Sequence, residues 1–252
     1  LIFKGIKAVE KSELYMVLLI LVIVIIFAVF ALPKIVISNL SVFSPDKFFL
    51  PYGVILFAYL AMAAIPELRE ELNHNKKSLK KAIIIGTIIP IFIYALFALL
   101  VVGVSGPENI TDGAIIGFGN VLGSHILVLG LLFGTLTMAT SFIAVGLALK
   151  EMFHFDFKVN KSLSSIYVVS VPLIISIILI LIRIANPFFL VLDITGVISG
   201  GLAGILVVMM HWQAKKKGQI KPEYSIKGSY ILSVILILLF VYGMISELLT
   251  FF

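Results

Sequence analysis

The chain has 252 residues, of which 61% are hydrophobic and 13% are charged, and its formal net charge is +6. Soluble domains carry about 25% charged residues, so this composition excludes an ordinary soluble domain and predicts an all-α polytopic membrane protein. The chain contains no cysteine, which excludes disulfides, a thiol nucleophile and thiolate metal sites.

Seven apolar stretches are candidates for membrane-spanning helices, because each is close to or above the length that a bilayer requires. In chain order they are Leu14–Leu32, Phe48–Ile65, Ala82–Val104, Gly123–Leu149, Ser162–Ile182, Pro187–Trp212 and Ser229–Leu249. Pro90 and Pro172 lie inside two of these stretches, where we expect kinks. The sequence therefore predicts seven transmembrane helices in one transporter-like domain spanning residues 1–252.

The distribution of cations predicts the orientation in the membrane. With the start of the chain in the cytoplasm, every lysine and arginine except Lys34, Lys47 and Arg183 falls on the cytoplasmic side, as the positive-inside rule requires. The C-terminus at Phe252 then lies outside. Interior loops account for the positive charge, so nucleic acid is not an expected partner, whereas membrane lipid is.

The second stretch is the first to carry a functional signal. Pro66 cannot donate a hydrogen bond to the carbonyl of Met62, and the residue before a proline disfavours the α conformation. We therefore expect the helix to open around residues 60–63, where unwound backbone could form an ion or substrate site. An ordinary kinked helix that ends at Pro66 is the alternative.

The fourth stretch places hydroxyl groups on one helix face. Thr137, Thr140 and Ser141 follow the i, i+3, i+4 spacing of such a face, and their oxygens are suitable ligands for a small cation. Helix packing and hydrogen bonds back to the same helix are the alternative explanation. In the sixth stretch, Asp193 is either a gating residue in an ion path or an interfacial charge. The Gly-rich loop over residues 105–120 is either an outer lid or a connector.

Two motifs resemble transporters of the amino acid–polyamine–organocation superfamily, and especially its amino acid/auxin permease and aromatic amino acid permease branches. PYGVILFAYLAMAAIPELREEL resembles the broken sixth helix of that family, and LFGTLTMATSFIAVGLALKEMF resembles its eighth. The resemblance implies that the chain is the C-terminal portion of a 5+5 inverted-repeat fold, from helix five to helix eleven. It would then hold the last helix of repeat one, all of repeat two and one extra helix, and lack the N-terminal helices that complete the site.

The resemblance also implies which residues bind the ligands. The substrate contacts would be Phe57, Ala58, Leu60, Ala61, Ser141 and Val145. A sodium site would use Thr137, Thr140 and Ser141, and the absence of a lysine from Leu14–Leu32 favours sodium over protons as the coupling ion. The family break often contains glycine, whereas this chain has Leu60-Ala61-Met62-Ala63, so the extent of unwinding is open.

These observations predict a secondary active transporter of amino acids, located in the plasma membrane and working by alternating access. We expect no cofactor other than a coupling ion, and no enzyme activity, because no catalytic motif is present. The alternatives are a transporter-like sensor or receptor subunit that binds an amino acid without moving it, and an intramembrane enzyme.

Overall fold

The computed structural model describes residues 6–41, 44–62, 64–72, 77–110, 113–183, 187–218 and 228–251. Within these ranges the regular secondary structure is helical and includes no strand. The α-helices are α1 (Ile6–Ala31), α2 (Tyr52–Ala58), α3 (Ala64–Glu71), α4 (Lys77–Ser105), α5 (Ile115–Leu122), α6 (Ser124–Phe155), α7 (Lys161–Leu181), α8 (Pro187–Ile194), α9 (Gly201–Lys217) and α10 (Tyr230–Phe251). Between α8 and α9, Thr195–Gly200 forms a π-helix, which we call the π segment.

Five helices in the described ranges are long and apolar enough to cross a membrane. They are Ser12–Lys34, Ser78–Ser105, Ser124–Phe155, Lys161–Leu181 and Thr195–Lys217, and they match the first, third, fourth, fifth and sixth predicted stretches. The seventh contains the shorter apolar helix Tyr230–Ser246. The second is divided between α2 and α3. A multi-pass helical membrane protein is thus confirmed, while the seven-helix count and the inverted repeat stay predictions.

The chain divides into two compact units: residues 1–43 with 85–175, and residues 44–84 with 176–252. In the first unit, a buried cluster joins α1, α4, α5 and α6. Its members are Ile23, Phe27, Ala31, Leu100, Val101, Val104, Phe118 and Ile126. Phe27 lies at its centre, because its ring meets those of Phe97, Phe118 and Phe133 at centroid distances of 6.2, 5.5 and 5.8 Å.

Helix α5 lies in the loop that the sequence predicts to be a lid or a connector. Its Phe118 is fully buried, and its Gly119 lies against α6, where an added Cβ would be 2.8 Å from the Cβ of Leu127. Such close contact requires a residue without a side chain. Helix α5 is therefore part of the core of the first unit, and the lid role stays a prediction.

The change Phe118→Ala is expected to destabilise the first unit by about 3 kcal/mol, since a buried phenylalanine truncated to alanine leaves a cavity. Thermal unfolding of the purified protein in detergent would measure this loss as a lower melting temperature. Phe92→Ala is the matched control, because Phe92 is 70% exposed on α4. Equal melting of the two variants would contradict the assignment of Phe118 to the core.

Helix α6 is longer than the stretch Gly123–Leu149 that predicts it, and continues to Phe155. Lys150, expected among the cations of a cytoplasmic loop, therefore lies inside the helix, where it is only 3% exposed. Met16 of α1 packs beside the neighbouring buried residues Ile143 and Leu147. The predicted end of the fourth stretch at Leu149 is therefore six residues too early, because a charged residue inside a helix resembles a helix end in the sequence.

The second unit is built around α2. This short helix packs on the π segment and on α10, and α10 also packs on α9. The Tyr52 hydroxyl donates a hydrogen bond to the carbonyl of Phe240 at 3.2 Å. The ring of Phe49, just before α2, meets that of Tyr242 at 4.8 Å and a steep angle. Helix α2 is therefore held at its N-terminal end by a backbone carbonyl and an aromatic side chain of α10.

Candidate functional site

The described backbone that follows α2, residues 59–62, is not helical, and Ala63, the last residue of the predicted interval 60–63, lies outside the described residues. Tyr59 follows α2 with φ −102° and ψ 8°, outside the helical region. Its N–H is shared between the carbonyls of Ile55 and Leu56, at 3.2 Å each. The N–H of Ala61 then donates to the carbonyl of Tyr59 at 2.8 Å, a bond that closes a turn much tighter than an α-helix. The regular hydrogen bonding of α2 therefore ends one residue before the predicted interval 60–63.

This segment presents backbone acceptors beside exposed side chains. Among the described residues, no backbone N–H donates to the carbonyl of Ala58 or of Leu60. The side chains of Phe57, Ala58, Leu60 and Ala61 are exposed. Free carbonyls are costly in lipid unless a ligand, water or protein group satisfies them. The geometry thus provides acceptors for a cationic or ammonium group.

Pro66 has a different place from the predicted one. The sequence predicts that Pro66 lies at the end of the second stretch. In the structure Pro66 lies in the first turn of α3, which begins at Ala64. A proline is well tolerated there, because the first N–H groups of a helix have no partner within that helix. The Met62 carbonyl, which Pro66 cannot serve, accepts from the N–H of Ile65 at 3.4 Å instead. Pro66 therefore belongs to the start of α3 rather than to the end of α2.

Glycines bring the π segment into contact with α2. A Cβ added at Gly196 would overlap the Gly53 carbonyl oxygen and lie 2.7 Å from its carbonyl carbon. One turn further on, a Cβ at Gly200 would lie 3.2 Å from the Cβ of Leu56 and 3.7 Å from Cδ1 of Leu60. The contact therefore extends along α2 from its first turn into the non-helical segment that follows it.

Two of the three predicted hydroxyl ligands of the fourth stretch, Thr137 and Thr140, bond within their own helix. Thr140 Oγ1 donates to the carbonyl of Thr137 at 2.9 Å, and Thr137 Oγ1 donates to the carbonyl of Gly134 at 3.0 Å. A hydroxyl oxygen that donates its hydrogen keeps its lone pairs for a further partner. These predicted cation ligands are thus adjacent in α6. Their hydrogen bonds also agree with the alternative explanation, in which each hydroxyl bonds back to its own helix. Their role in binding a cation stays a prediction.

The remaining predicted contacts are placed but not tested by this arrangement. Ser141 and Val145 are exposed on α6, Val145 to 64%. They belong to the first unit, whereas Phe57–Ala61 belong to the second, and a common site stays a prediction. Asp193 lies on α8, directly before its last residue, Ile194, and its gating role also stays a prediction.

Sequence reasoning missed the residues that hold α2. The spacing Gly196-x3-Gly200-x3-Gly204 is the small-residue pattern by which membrane helices approach closely, and this signal predicts a contact but not its partner. Gly204 faces Phe240 of α10, at 2.5 Å from an added Cβ. The π-helical winding of Thr195–Gly200 had no recognisable signal in the sequence, although such windings are frequent at functional sites.

Long apolar helices define the class, a multi-pass helical membrane protein. The non-helical segment after α2, with unpaired acceptors among the described residues, is its candidate site for a small polar ligand. The particular family is also clear. Residues 1–247 match the tryptophan/tyrosine permease family, and the chain belongs to it.

Among curated proteins, the chain is similar to tyrosine-specific transport system 1 of Haemophilus influenzae, with 25% identity over 225 residues. The match covers 82% of this chain and 55% of the relative, so the chain spans about half the length of that protein. No solved structure matches the chain.

Proposed function

We propose that the protein is a secondary active transporter of aromatic amino acids, tyrosine or tryptophan. The observation that carries this proposal is the match to the tryptophan/tyrosine permease family over residues 1–247. The similarity to a tyrosine-specific transport system supports the same substrate class. A transporter of this kind performs no covalent chemistry, so we propose that the protein is not an enzyme.

In this proposal α2 and α3 are the two halves of one discontinuous transmembrane helix, and the substrate binds at its break. A helix has a partial negative charge at its C-terminus and a partial positive charge at its N-terminus. The end of α2 at Ala58 and the start of α3 at Ala64 are the two ends that border the break. They suit the ammonium and carboxylate groups of an amino acid, and half-helix ends serve this purpose in other transporters.

The side chains complete the proposed substrate site. Phe57 is 42% exposed and caps the amino acid, while small residues at Ala58 and Ala61 leave room for its ring. Leu60 contributes its backbone carbonyl, and Ser141 and Val145 line the side-chain pocket. Stacking of an aromatic substrate on Phe57 adds about 0.5–1.5 kcal/mol to its affinity.

We further propose that a cation gradient drives transport by alternating access. Sodium is the preferred coupling ion, with Thr137, Thr140 and Ser141 as ligands, and protons are the alternative. Asp193 acts as a gate. The protein lies in the plasma membrane, and the start of the chain is on the cytoplasmic side. The complete fold is a 5+5 inverted repeat, and this chain forms its C-terminal portion, helices five to eleven. Helices preceding this portion complete the substrate and cation sites.

Uptake of labelled amino acids into proteoliposomes tests this function. We expect saturable tyrosine or tryptophan uptake that requires an inward sodium or proton gradient, with leucine as the control substrate. Uptake of leucine alone would contradict the aromatic specificity. Binding of tyrosine without uptake under any gradient would contradict transport and favour an amino acid sensor.

A further inference from the structure

Contacts within the second unit fix the position of the non-helical segment after α2. Helix α2 has only seven residues, and helices of about this length are not stable by themselves. Its place must therefore come from tertiary contacts. The described residues that make the closest of these contacts lie in the π segment and in α10.

The π segment contacts α2 backbone to backbone. Gly196 meets the carbonyl group of Gly53 more closely than any side chain would permit. Contacts between backbones transmit displacement directly, because neither surface has a rotatable side chain that could adjust. A movement of the π segment along its axis is therefore a movement of α2.

The same contact reaches the residues that follow α2. Gly200 faces Leu56 on the last turn and Leu60 in the non-helical segment, at 3.2 Å and 3.7 Å from an added Cβ. A π-helix has i→i+5 hydrogen bonds and therefore a wider turn than an α-helix, and the π segment covers Thr195–Gly200, the interval that contains these two contacts. Its winding thus sets the distance between the two points at which it holds α2.

Helix α10 holds the opposite end. Gly243 lies directly against the ring of Tyr52, and the Tyr52 hydroxyl bonds to the Phe240 carbonyl at 3.2 Å. The π segment and its continuation are joined to α10 as well, because Gly201 lies against Met244, with an added Cβ 2.5 Å from its Sδ. The π segment, α9 and α10 therefore contact one another, and the π segment and α10 both contact α2.

We infer that the π segment and α10 hold α2 in place and thereby position Phe57–Ala61 for the amino acid. Gly53, Gly196 and Gly200 are the positioning residues. This role rests on the proposed function for its substrate. Its structural part, control over the place of the non-helical segment, does not depend on which ligand binds there.

A thiol-reactivity experiment tests the structural part without any substrate. The chain contains no cysteine, so Ala61→Cys introduces a single thiol that a water-soluble maleimide labels. We expect Gly196→Ala to change the labelling rate of Ala61→Cys about tenfold, because the added methyl must displace α2. Gly134→Ala is the matched control, since an added Cβ there meets nothing within 4 Å.

A separate single-cysteine variant shows whether the protein remains folded. Ile37→Cys lies in the first unit, at a position 81% exposed, and its labelling rate should be the same with and without Gly196→Ala. If Gly196→Ala fails to fold, Gly200→Ala replaces it, since its added Cβ makes the milder 3.2 Å contact. An unchanged labelling rate at Ala61→Cys in the folded glycine variant would overturn the inference.

Binding separates this inference from the proposed function. In protein that binds labelled tyrosine, Gly196→Ala should raise the Kd about tenfold, whereas Gly134→Ala should leave the Kd unchanged. An unchanged Kd in folded Gly196→Ala overturns the positioning role. Absence of tyrosine binding in the parent protein contradicts the proposed function alone, and the labelling rates then decide the structural part by themselves.

Discussion

Replacement of Ala61 by tryptophan is expected to abolish aromatic amino acid uptake, with a fall of at least about 100-fold, because a reacting or bound group displaced by even 1 Å can cost that much. Ala61 is exposed in the non-helical segment after α2. An indole at this position would occupy the space proposed for the substrate ring. Initial uptake rates in proteoliposomes, normalised to the amount of inserted protein, measure the effect.

The matched control for this change is Ala95→Trp, which adds the same side chain at an exposed position in the middle of α4. It should keep uptake near the parent level. The graded variant Ala61→Val should lie between the parent and Ala61→Trp, since its side chain fills only part of the space. Parent-like uptake by Ala61→Trp would show that the amino acid binds elsewhere.

Removal of the Thr140 hydroxyl is expected to weaken sodium activation of uptake about 30-fold, measured as the sodium concentration at half-maximal rate. A hydrogen bond or ligand to a charged group contributes about 1.5–3 kcal/mol, which corresponds to roughly 10–100-fold in affinity. Thr140→Ala removes one proposed ligand. It also removes the hydrogen bond of 2.9 Å from Thr140 Oγ1 to the Thr137 carbonyl.

Two variants separate cation binding from helix stability. Thr140→Ser keeps a hydroxyl and should retain most of the sodium affinity. Thr135→Ala removes a hydroxyl that donates to the Leu131 carbonyl at 2.8 Å on an exposed part of the same helix, and should leave sodium activation unchanged. Equal effects of Thr140→Ala and Thr135→Ala would favour back-bonding as the only role of Thr140. Sodium-independent uptake that follows a pH gradient would instead identify protons as the coupling ion.

The non-helical segment after α2 shows how much of the local structure a single proline predicts. Pro66 lacks the N–H that a continuous helix would require, so the interruption near Met62 could be predicted from a single residue. The direction of the effect could not. A proline both ends one helix and favours the first turn of another, and only the hydrogen bonds of the folded chain assign Pro66 to the start of α3.

The hydroxyl face of α6 gives a similar lesson. The spacing of Thr137 and Thr140 places them on one face by helix geometry alone. Which acceptor each hydroxyl uses depends on side-chain rotamers, and the structure shows both bonding to carbonyls one turn back. The pattern therefore predicts where the oxygens lie, and binding measurements must decide what they bind.

The sequence by itself determined the class of protein, because a bilayer demands long uncharged helices and composition reveals these directly. It also predicted non-helical backbone near Met62, since a missing backbone donor is a property of one residue, and residues 59–62 are non-helical. Only the tertiary structure decided what holds α2 in place. The contacts of Gly53 with Gly196 and of Tyr52 with Phe240 join residues far apart in the chain, and the winding of the π segment that aligns them depends on packing rather than on local preference.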